Sequence, residues 1–345
     1  MKWMARTIQG VLLSASIATS ALAADVQVVP GKDALVRAIQ TAQPGDRLML
    51  AAGDYAGGLL ITKPLEIHGH GLVHVRGREQ GSVIKIDVAD VVISGLKLTG
   101  SGSDHQTIDS GVQLTKRATN AVVRDNIIEG NLYGVDIHGA RNALVDGNTI
   151  TGRQDRLMNR RGNGVYVWNA PGAQVRNNKV RFGRDGIFFN SSKKNTFRDN
   201  RFEDLRFAVH YMYADDSEVS GNVSIGNHLG YAIMFTSRIK IINNTSIGDR
   251  EHGILLNYAY NAILEGNVVR DGGKKCLFMY NANKNIMRNN HFEGCPLGIH
   301  FTAGSERNQI VGNSFVGNQR QVVRKILKTV KAALEDTDIM ARTVG

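Results

Sequence analysis

Between residues 120 and 318 the hydrophobic and polar positions of the chain recur at a fixed interval. The pattern x-Asn-x-hydrophobic returns at Asn126, Asn148, Asn178, Asn200, Asn222, Asn244, Asn267, Asn290 and Asn313, at spacings of 22, 30, 22, 22, 22, 23, 23 and 23 residues. A second pattern, a small residue followed by alternating apolar positions, keeps step with it at Gly111-Val112, Gly134-Val135, Gly164-Val165, Gly186-Ile187, Ala208-Val209, Ala232-Ile233, Gly253-Ile254 and Gly298-Ile299. Cys276-Leu277 takes the small-residue place in one unit. Alternation with period two marks strands. Several short strands per unit, separated by Gly and Asn, predict coils that each lay their strands on those of the coil before, about 4.8 Å away. Leucine-rich repeats share the period but require a Leu ladder, which is missing here.

The repeating Asn has a structural role in this reading. Asn tolerates a left-handed bend at a corner, and stacked Asn amides hydrogen-bond from coil to coil. Leu65-Glu66-Ile67 and Val91 to Leu96 read as earlier coils in which Leu takes the Asn place. Upstream, Asp33 to Gln43 reads as a short amphipathic helix with Leu35, Ile39 and Ala42 on one side, followed by the turn Pro44-Gly45-Asp46. Such a helix would cap the first coil, whose open strand edges otherwise invite aggregation. The single spacing of 30 marks an insertion of about eight residues near Gly152 to Asn163. From Val322 to Gly345 the pattern changes to a basic amphipathic helix carrying Val323, Ile326, Leu327, Val330 and Leu334. The expected fold is therefore all-β: a right-handed parallel β-helix (a pectin-lyase-like solenoid) over residues 61–321, with an N-terminal cap over 24–60 and a short C-terminal helix over 322–345.

Composition narrows the class. The 345 residues include 38 Gly, 28 Asn and 2 Cys, with 42% hydrophobic and 21% charged positions. That is too apolar for a disordered chain and too poor in Cys for a disulfide scaffold. Lys2 and Arg6, the apolar run Val11 to Ala21 and the small-x-small site Ala21-Leu22-Ala23 read as a Sec-type signal peptide, residues 1–23. The apolar run is shorter than the roughly 20 residues a membrane span needs, so the mature chain is expected to be periplasmic with no transmembrane segment. Loss of Lys2 and Arg6 would take the net charge from +11 to +9. Residues 151–206 hold 13 Lys/Arg against 5 Asp/Glu, which would steer an acidic partner or simply solvate a face. Nucleic acid is not expected outside the cytoplasm.

Aligning the coils sorts the best strand into inward and outward columns. The outward ones read Asp136, Tyr166, Phe188, His210, Met234, Leu255, Phe278, His300, and His138, Trp168, Asn190, Met212, Thr236, Asn257, Tyr280, Thr302. Aromatic, Met and His side chains on a nominal solvent face mark either a binding surface or a strip covered by another segment. Tyr166, Trp168, Phe188, Phe278, Tyr280 and His300 are the candidate partner contacts. His210, Met212 and Met234 are the candidate metal ligands. His210 and Met212 stand about 6.6 Å apart along one strand, Met234 is expected one rung from His210, and thioether with imidazole suits Cu(I). The alternative for such a trio is ordinary packing. His228, His252 and His300 are further candidates. Cys276 and Cys295 fall in neighbouring coils of an oxidising compartment. Cys295 lies about three residues before the place aligned with Cys276, which strains the separation a bridge requires, so the pairing stays open.

Two resemblances were weighed. Asp215-Asp216, Gly69-His70-Gly71 and Arg238-Ile239-Lys240 resemble fragments of the polygalacturonase motifs, but the Gly-His-Gly triplet precedes the Asp pair and the Asn-Thr-Asp element is missing. These fragments read as coincidences of a Gly-, Asp- and Arg-rich sequence; the fold and the basic stretch leave a carbohydrate-active lyase, epimerase or hydrolase on acidic polysaccharide as the alternative, and a passive interaction scaffold is a second. A longer match runs through Gly162 to Gly172, Gly183 to Phe188, His210-Tyr211-Met212-Tyr213, Ala232 to Phe235, His252 to Ala259, Lys275 to Asn283, Phe292 to Cys295 and Gly298 to Glu306. These segments resemble the NosD family of nitrous-oxide reductase maturation proteins. The resemblance implies a non-enzymatic periplasmic β-helix protein acting with an ABC transporter. It would help pass copper from a lipoprotein chaperone to the copper–sulfide centre of nitrous-oxide reductase. The family supplies no catalytic residues to carry over. The end of the chain departs from it, since an Asp-, Gly- and Trp-rich segment is usual there.

Overall fold

Each repeat of the sequence closes into one coil because its alternating apolar residues can all point to a common axis only if the chain turns three times per unit. A computed structural model describes residues 23–325. The expected signal peptide and most of the expected C-terminal helix lie outside those residues. The chain winds as a parallel β-solenoid of about 13 turns. The widest face is a 12-stranded sheet running from Leu59–Ile61 to Arg320–Lys325. The two other faces are built mostly of three-residue strands such as Gln174–Arg176 and Thr196–Arg198 on one, and Lys179–Arg181 and Arg201–Glu203 on the other. All paired strands are parallel, and residues 22 or 23 apart are partners through much of the chain, as in Val175↔Phe197 and Val269↔Phe292.

The asparagines form a buried column. Oδ1 of Asn148 accepts the backbone N–H and the side-chain amide of Asn126, each at 3.0 Å, while its own Nδ2 donates to Asn178 Oδ1 and to the Val123 carbonyl, both at 2.9 Å. The same bonds repeat from Asn178 to Asn313. Each ladder Asn therefore satisfies backbone groups that the corner would leave bare. At the start of the column the Leu96 amide donates to Asn126 Oδ1 at 3.0 Å, so Leu96 occupies the ladder position as expected. One expectation is corrected. The left-handed residue at this corner is the one before each ladder Asn: Asp125 (φ 55°), Gly147 (67°), Asn177 (55°), Asp199 (57°) and so on to Gly312 (60°). The corner needs two residues, one that accepts positive φ and one whose amide spans the coils.

The small-residue column has a steric cause. A Cβ on Gly134 would sit 2.3 Å from the carbonyl oxygen of Gly164 in the next coil, and one on Gly230 would meet that of Gly253 at the same distance. Beneath it, Val135, Val165, Ile187, Val209, Tyr231, Ile254, Leu277 and Ile299 form a wholly buried inward row.

Three boundaries differ from the reading of the sequence. The N-terminal helix is Ala34–Thr41, shorter than Asp33 to Gln43, and it buries Leu35 and Ile39. The solenoid begins before residue 61, because Arg47–Leu50, Gly53–Ala56 and Leu59–Ile61 already pair with the following coil. At the other end Arg320–Lys325 is a strand in register with Leu297–Thr302, so the wide face continues through residues at which a helix was expected to start at 322. The insertion leaves the coil as expected, with one 3-10 turn at Met158–Arg160. Its Arg153 guanidinium donates to the carbonyls of Ser101 and Gly102 and to the Ser103 hydroxyl, tying the insertion to the 101–109 loop.

Candidate functional site

The wide face turns its inward residues to the core and carries two columns on its outer side, mostly half-buried but with Asp136, His210 and Ala232 buried. The first runs Asp136, Tyr166, Phe188, His210, Ala232, Leu255, Phe278, His300 in register. The second runs His138, Trp168, Asn190, Met212, Met234, Asn257, Tyr280, Thr302. The coil Leu229–Ser237 is thus shifted by two residues from the expected alignment. Gly230, rather than Ala232, takes the small-residue place, and Tyr231 rather than Ile233 enters the first inward row. A shift of two preserves which side chains face out. It moves Met234 from beside His210 to beside Met212.

The trio His210, Met212 and Met234 stays on one outer face, in an altered register. Met212 and Met234 are direct partners on neighbouring strands, about 4.8 Å apart, and both are half-buried. His210 precedes Met212 by two on the same strand. Stacked thioethers beside an imidazole make a soft donor set, of the kind that suits Cu(I). Among the described residues no three His, Cys, Asp or Glu side chains converge as a metal cluster. Thioether donors are therefore what this face offers in addition to imidazole.

His210 is held from beneath by groups that the sequence reading missed. Its Nδ1 lies 3.1 Å from Oδ2 of Asp185, an almost fully buried carboxylate one coil earlier. Arg206 forks the same carboxylate, Nε to Oδ1 at 2.8 Å and Nη2 to Oδ2 at 2.5 Å. Burial alone would raise the Asp185 pKa, but the hydrogen bonds from His210 and Arg206 outweigh it and hold the carboxyl below its usual range. Nδ1 also lies 3.2 Å from Nη2 of Arg206; a proton on Nδ1, donated to the carboxylate, would leave the lone pair on Nε2. The signal for Asp185 was present in the sequence as Arg184-Asp185-Gly186, directly before the small-residue position.

Aromatic rings line both sides of this group. Tyr166 stacks on Phe188 at 5.4 Å, and Phe188 meets His210 edge-on at 4.8 Å. On the other flank Tyr213, Phe235 and Tyr258 stack in series at 4.8 and 5.2 Å, with Tyr280 next. Further along, Phe278 stacks on His300 at 5.5 Å and His252 packs against Phe278. His252 is buried, and burial together with Lys275 pulls its pKa down to about 4. The expected partner-contact residues are thus brought onto one face. They are mostly half-buried against one another, with Tyr280 the most open at 39% exposure. His228 is half-buried, stacked on Phe207 at 6.5 Å and facing Glu251 at 3.5 Å.

The other features named from sequence fall elsewhere. Cys276 and Cys295 are bonded to each other, with Cα atoms 5.7 Å apart, and both are buried. The three-residue offset that argued against the bridge is absorbed by the turn before the strand Leu297–Thr302. The basic residues of 151–206 do not form one patch. Arg176, Arg181, Arg198, Arg201 and Arg206 are each paired with an acid, and they belong to different faces. Asp215 and Asp216 meet Arg238 at an exposed turn, while Gly69-His70-Gly71 lies in the strand Glu66–Arg76 near the start of the solenoid. These fragments do not assemble a pair of carboxylates around a sugar bond.

The chain is a parallel β-solenoid whose wide face carries His210, Met212 and Met234 among aromatic rings. The chain belongs to the NosD family: the family model described as "Periplasmic copper-binding protein (NosD)" matches residues 147–330. The probable ABC transporter binding protein NosD of Stutzerimonas stutzeri is 38% identical over 291 residues, spanning 80% of this chain and 67% of that protein. The protein of the same name from Pseudomonas aeruginosa is 36% identical over 289 residues, spanning 80% and 68%. Among solved structures, the A-module of mannuronan C-5 epimerase AlgE6 from Azotobacter vinelandii superposes with a TM-score of 0.71 at 14% identity, over 83% of this chain and 89% of that one. An alginate lyase of Paenibacillus superposes with a TM-score of 0.59 at 17% identity, over 75% and 99%. At such identities the two structures share the winding of the chain with this protein. No helix among the described residues is long and apolar enough to cross a membrane.

Proposed function

We propose that this protein is a periplasmic accessory factor for assembly of the copper centre of nitrous-oxide reductase. It receives Cu(I) as cargo from a lipoprotein chaperone and acts with the subunits of an ABC transporter. Membership in a family described as copper-binding supports the reading. The one structural observation that carries it is the donor group on the wide face: Met212 and Met234 stacked on neighbouring strands, with His210 beside them and its ring oriented by Asp185.

Each part of the group has a job in transient handling of a soft cation. Two thioethers bind Cu(I) without a charge of their own and without a proton to lose. Nε2 of His210 adds a borderline ligand whose direction is set by the Nδ1–Asp185 bond. The rings of Phe188 and Phe207 close over the imidazole, while Met212 and Met234 stay half-buried, as delivery to a partner requires. The same rings, with Tyr166, Trp168, Phe278, Tyr280 and His300, supply a contact surface for the enzyme or the chaperone.

A competition titration tests this. Mature protein and the variant His210→Ala/Met212→Leu/Met234→Leu are titrated with Cu(I) against a chromogenic chelator. The wild type should withhold copper from the chelator and the variant should not. In cells lacking the native gene, the wild type should restore copper to nitrous-oxide reductase and the variant should not. Equal failure of both proteins to retain Cu(I) would remove the metal-handling role.

A further inference from the structure

Toward its N-terminal end the wide face ceases to be an open sheet. The 101–109 loop rises over it, and a cleft of about 900 Å³ opens between Gln106, Thr107 and Ile108 on one side and the turns after Tyr133–His138 and Val165–Trp168 on the other. The Arg153 bonds to Ser101, Gly102 and Ser103 fix the base of that loop. The cleft's nearest lining residue, Trp168, is two coils from Met212, and the cleft shares no residue with the trio His210, Met212 and Met234.

Three properties of the lining point to one kind of ligand. Trp168 lies stacked on His138, ring centres 4.3 Å apart and planes 28° from parallel, which makes a flat aromatic platform two coils deep. Lys85, Lys116, Arg117 and Arg141 surround it, and no Asp or Glu lines the cleft. Arg117 is committed to Asp87, but Lys85, Lys116 and Arg141 have no ion pair among the described residues. These three cations belong to three successive coils stacked about 4.8 Å apart, Lys85 level with Gln113 and Asp136, Lys116 and Arg141 further along their own coils. They therefore meet charge repeated along an extended chain better than a single anion.

The third property is a buried acid behind the wall. Asp136 is fully buried, in register between Gln113 and Tyr166. Gln113 Nε2 donates to its Oδ2 at 3.2 Å and to the Thr107 carbonyl at 2.9 Å, while Oδ1 has no partner. Burial lifts its pKa to about 7. A carboxyl held partly neutral there does not cancel the cations in front of it. Gln113, Gln106, Thr107 and Asn169 add neutral donors and acceptors of the kind that hydroxyl-rich ligands need.

We propose that this cleft binds an acidic oligosaccharide, a short run of uronate-type sugars, with a sugar ring on Trp168 and carboxylates spaced along Lys85, Lys116 and Arg141. An aromatic platform with amides and hydroxyls favours sugar rings over an acidic peptide, which would need the cations alone. The site is independent of the copper group and stands whether or not that group binds metal.

The test is calorimetric titration of the mature protein with tetragalacturonate and tetramannuronate, with cellotetraose and hexaglutamate as comparisons, at low and high salt. At least one uronate should bind, more weakly at high salt, and cellotetraose should bind at least ten-fold more weakly. Trp168→Ala and Lys85→Gln/Arg141→Gln should each lose at least ten-fold in affinity, while Trp168→Phe retains binding. The unfolding midpoint of each variant establishes that it is folded. Absence of uronate binding by the wild type, equal binding of cellotetraose, preference for hexaglutamate, or affinity unchanged in both variants would overturn the proposal.

Discussion

Nδ1 of His210 and Oδ2 of Asp185 lie 3.1 Å apart, on neighbouring coils and beneath the surface of the wide face. Because the carboxylate also takes two bonds from Arg206, it cannot turn away from the imidazole. A carboxylate behind a ligating His raises its basicity and fixes its tautomer, and removing such a group costs roughly 10–100-fold in metal affinity. Asp185→Asn should therefore weaken Cu(I) retention by about that factor while Met212 and Met234 remain in place. A chelator competition on the folded variant checks it. Unchanged affinity would show that His210 is not a ligand.

The Asn column makes a different prediction, about stability. Asn222 accepts the Asn200 backbone and side-chain amides at 3.0 and 2.9 Å and donates to Phe197 and Asn244 at 2.8 and 3.0 Å. Asn222→Ala leaves several buried groups without partners, at about 1–3 kcal/mol for each that water cannot reach. The expected loss is on the order of 3 kcal/mol or more, read from urea unfolding. Asn257→Ala on the outer face, where Oδ1 has no partner, should cost far less.

Asp136 gives the protein a pH dependence of a definite sign. Burial raises its pKa from 3.8 to about 7, with the Gln113 bond and Lys85 opposing only in part. Between about pH 4 and pH 7 the folded chain keeps a proton that the unfolded chain has lost. The stability contributed by this group is thus full at acid pH, falls as pH rises through that window, and is level above it. The difference is at most about 4 kcal/mol, since each pK unit is worth about 1.4 kcal/mol. Asp136→Asn should remove this slope and be more stable than the wild type at alkaline pH. Parallel slopes for the two proteins in urea unfolding from pH 5 to pH 8 would contradict it.

The Cys276–Cys295 bond closes a loop with a sequence separation of 19 and ties the last coils together. Closure of a loop of that size contributes about 3 kcal/mol in the chain-entropy account. Cys276→Ser/Cys295→Ser should lower the unfolding midpoint accordingly. Both residues are buried, so mild reductant applied to the folded protein should leave the bond intact.

Much of the fold was legible because the corner chemistry repeats. Nine Asn in step announce a stack of coils, and the stack fixes which side chains face outward. The miss at Leu229–Ser237 has a local cause. Gly230 and Ala232 are both small, and Tyr231 does not look like an inward residue. It is one, because its hydroxyl donates to the Asn222 carbonyl at 2.8 Å and also lies 2.9 Å from that of Thr245. Asp185 escaped for a related reason: its burial is paid for by Arg206 and His210, 21 and 25 residues away, and only the coil register reveals them. The cleft beside Trp168 was not legible as such, since it depends on how the 101–109 loop lies over the sheet.

The proposed Cu(I) holder on the wide face is a thioether pair with an imidazole. X-ray absorption at the copper edge of the Cu(I)-loaded mature protein reads the ligands directly. The expected spectrum shows sulfur scatterers from Met212 and Met234 together with an imidazole, the sulfur signal vanishing in Met212→Leu/Met234→Leu. A spectrum without sulfur, or one unchanged by that double substitution, would contradict it.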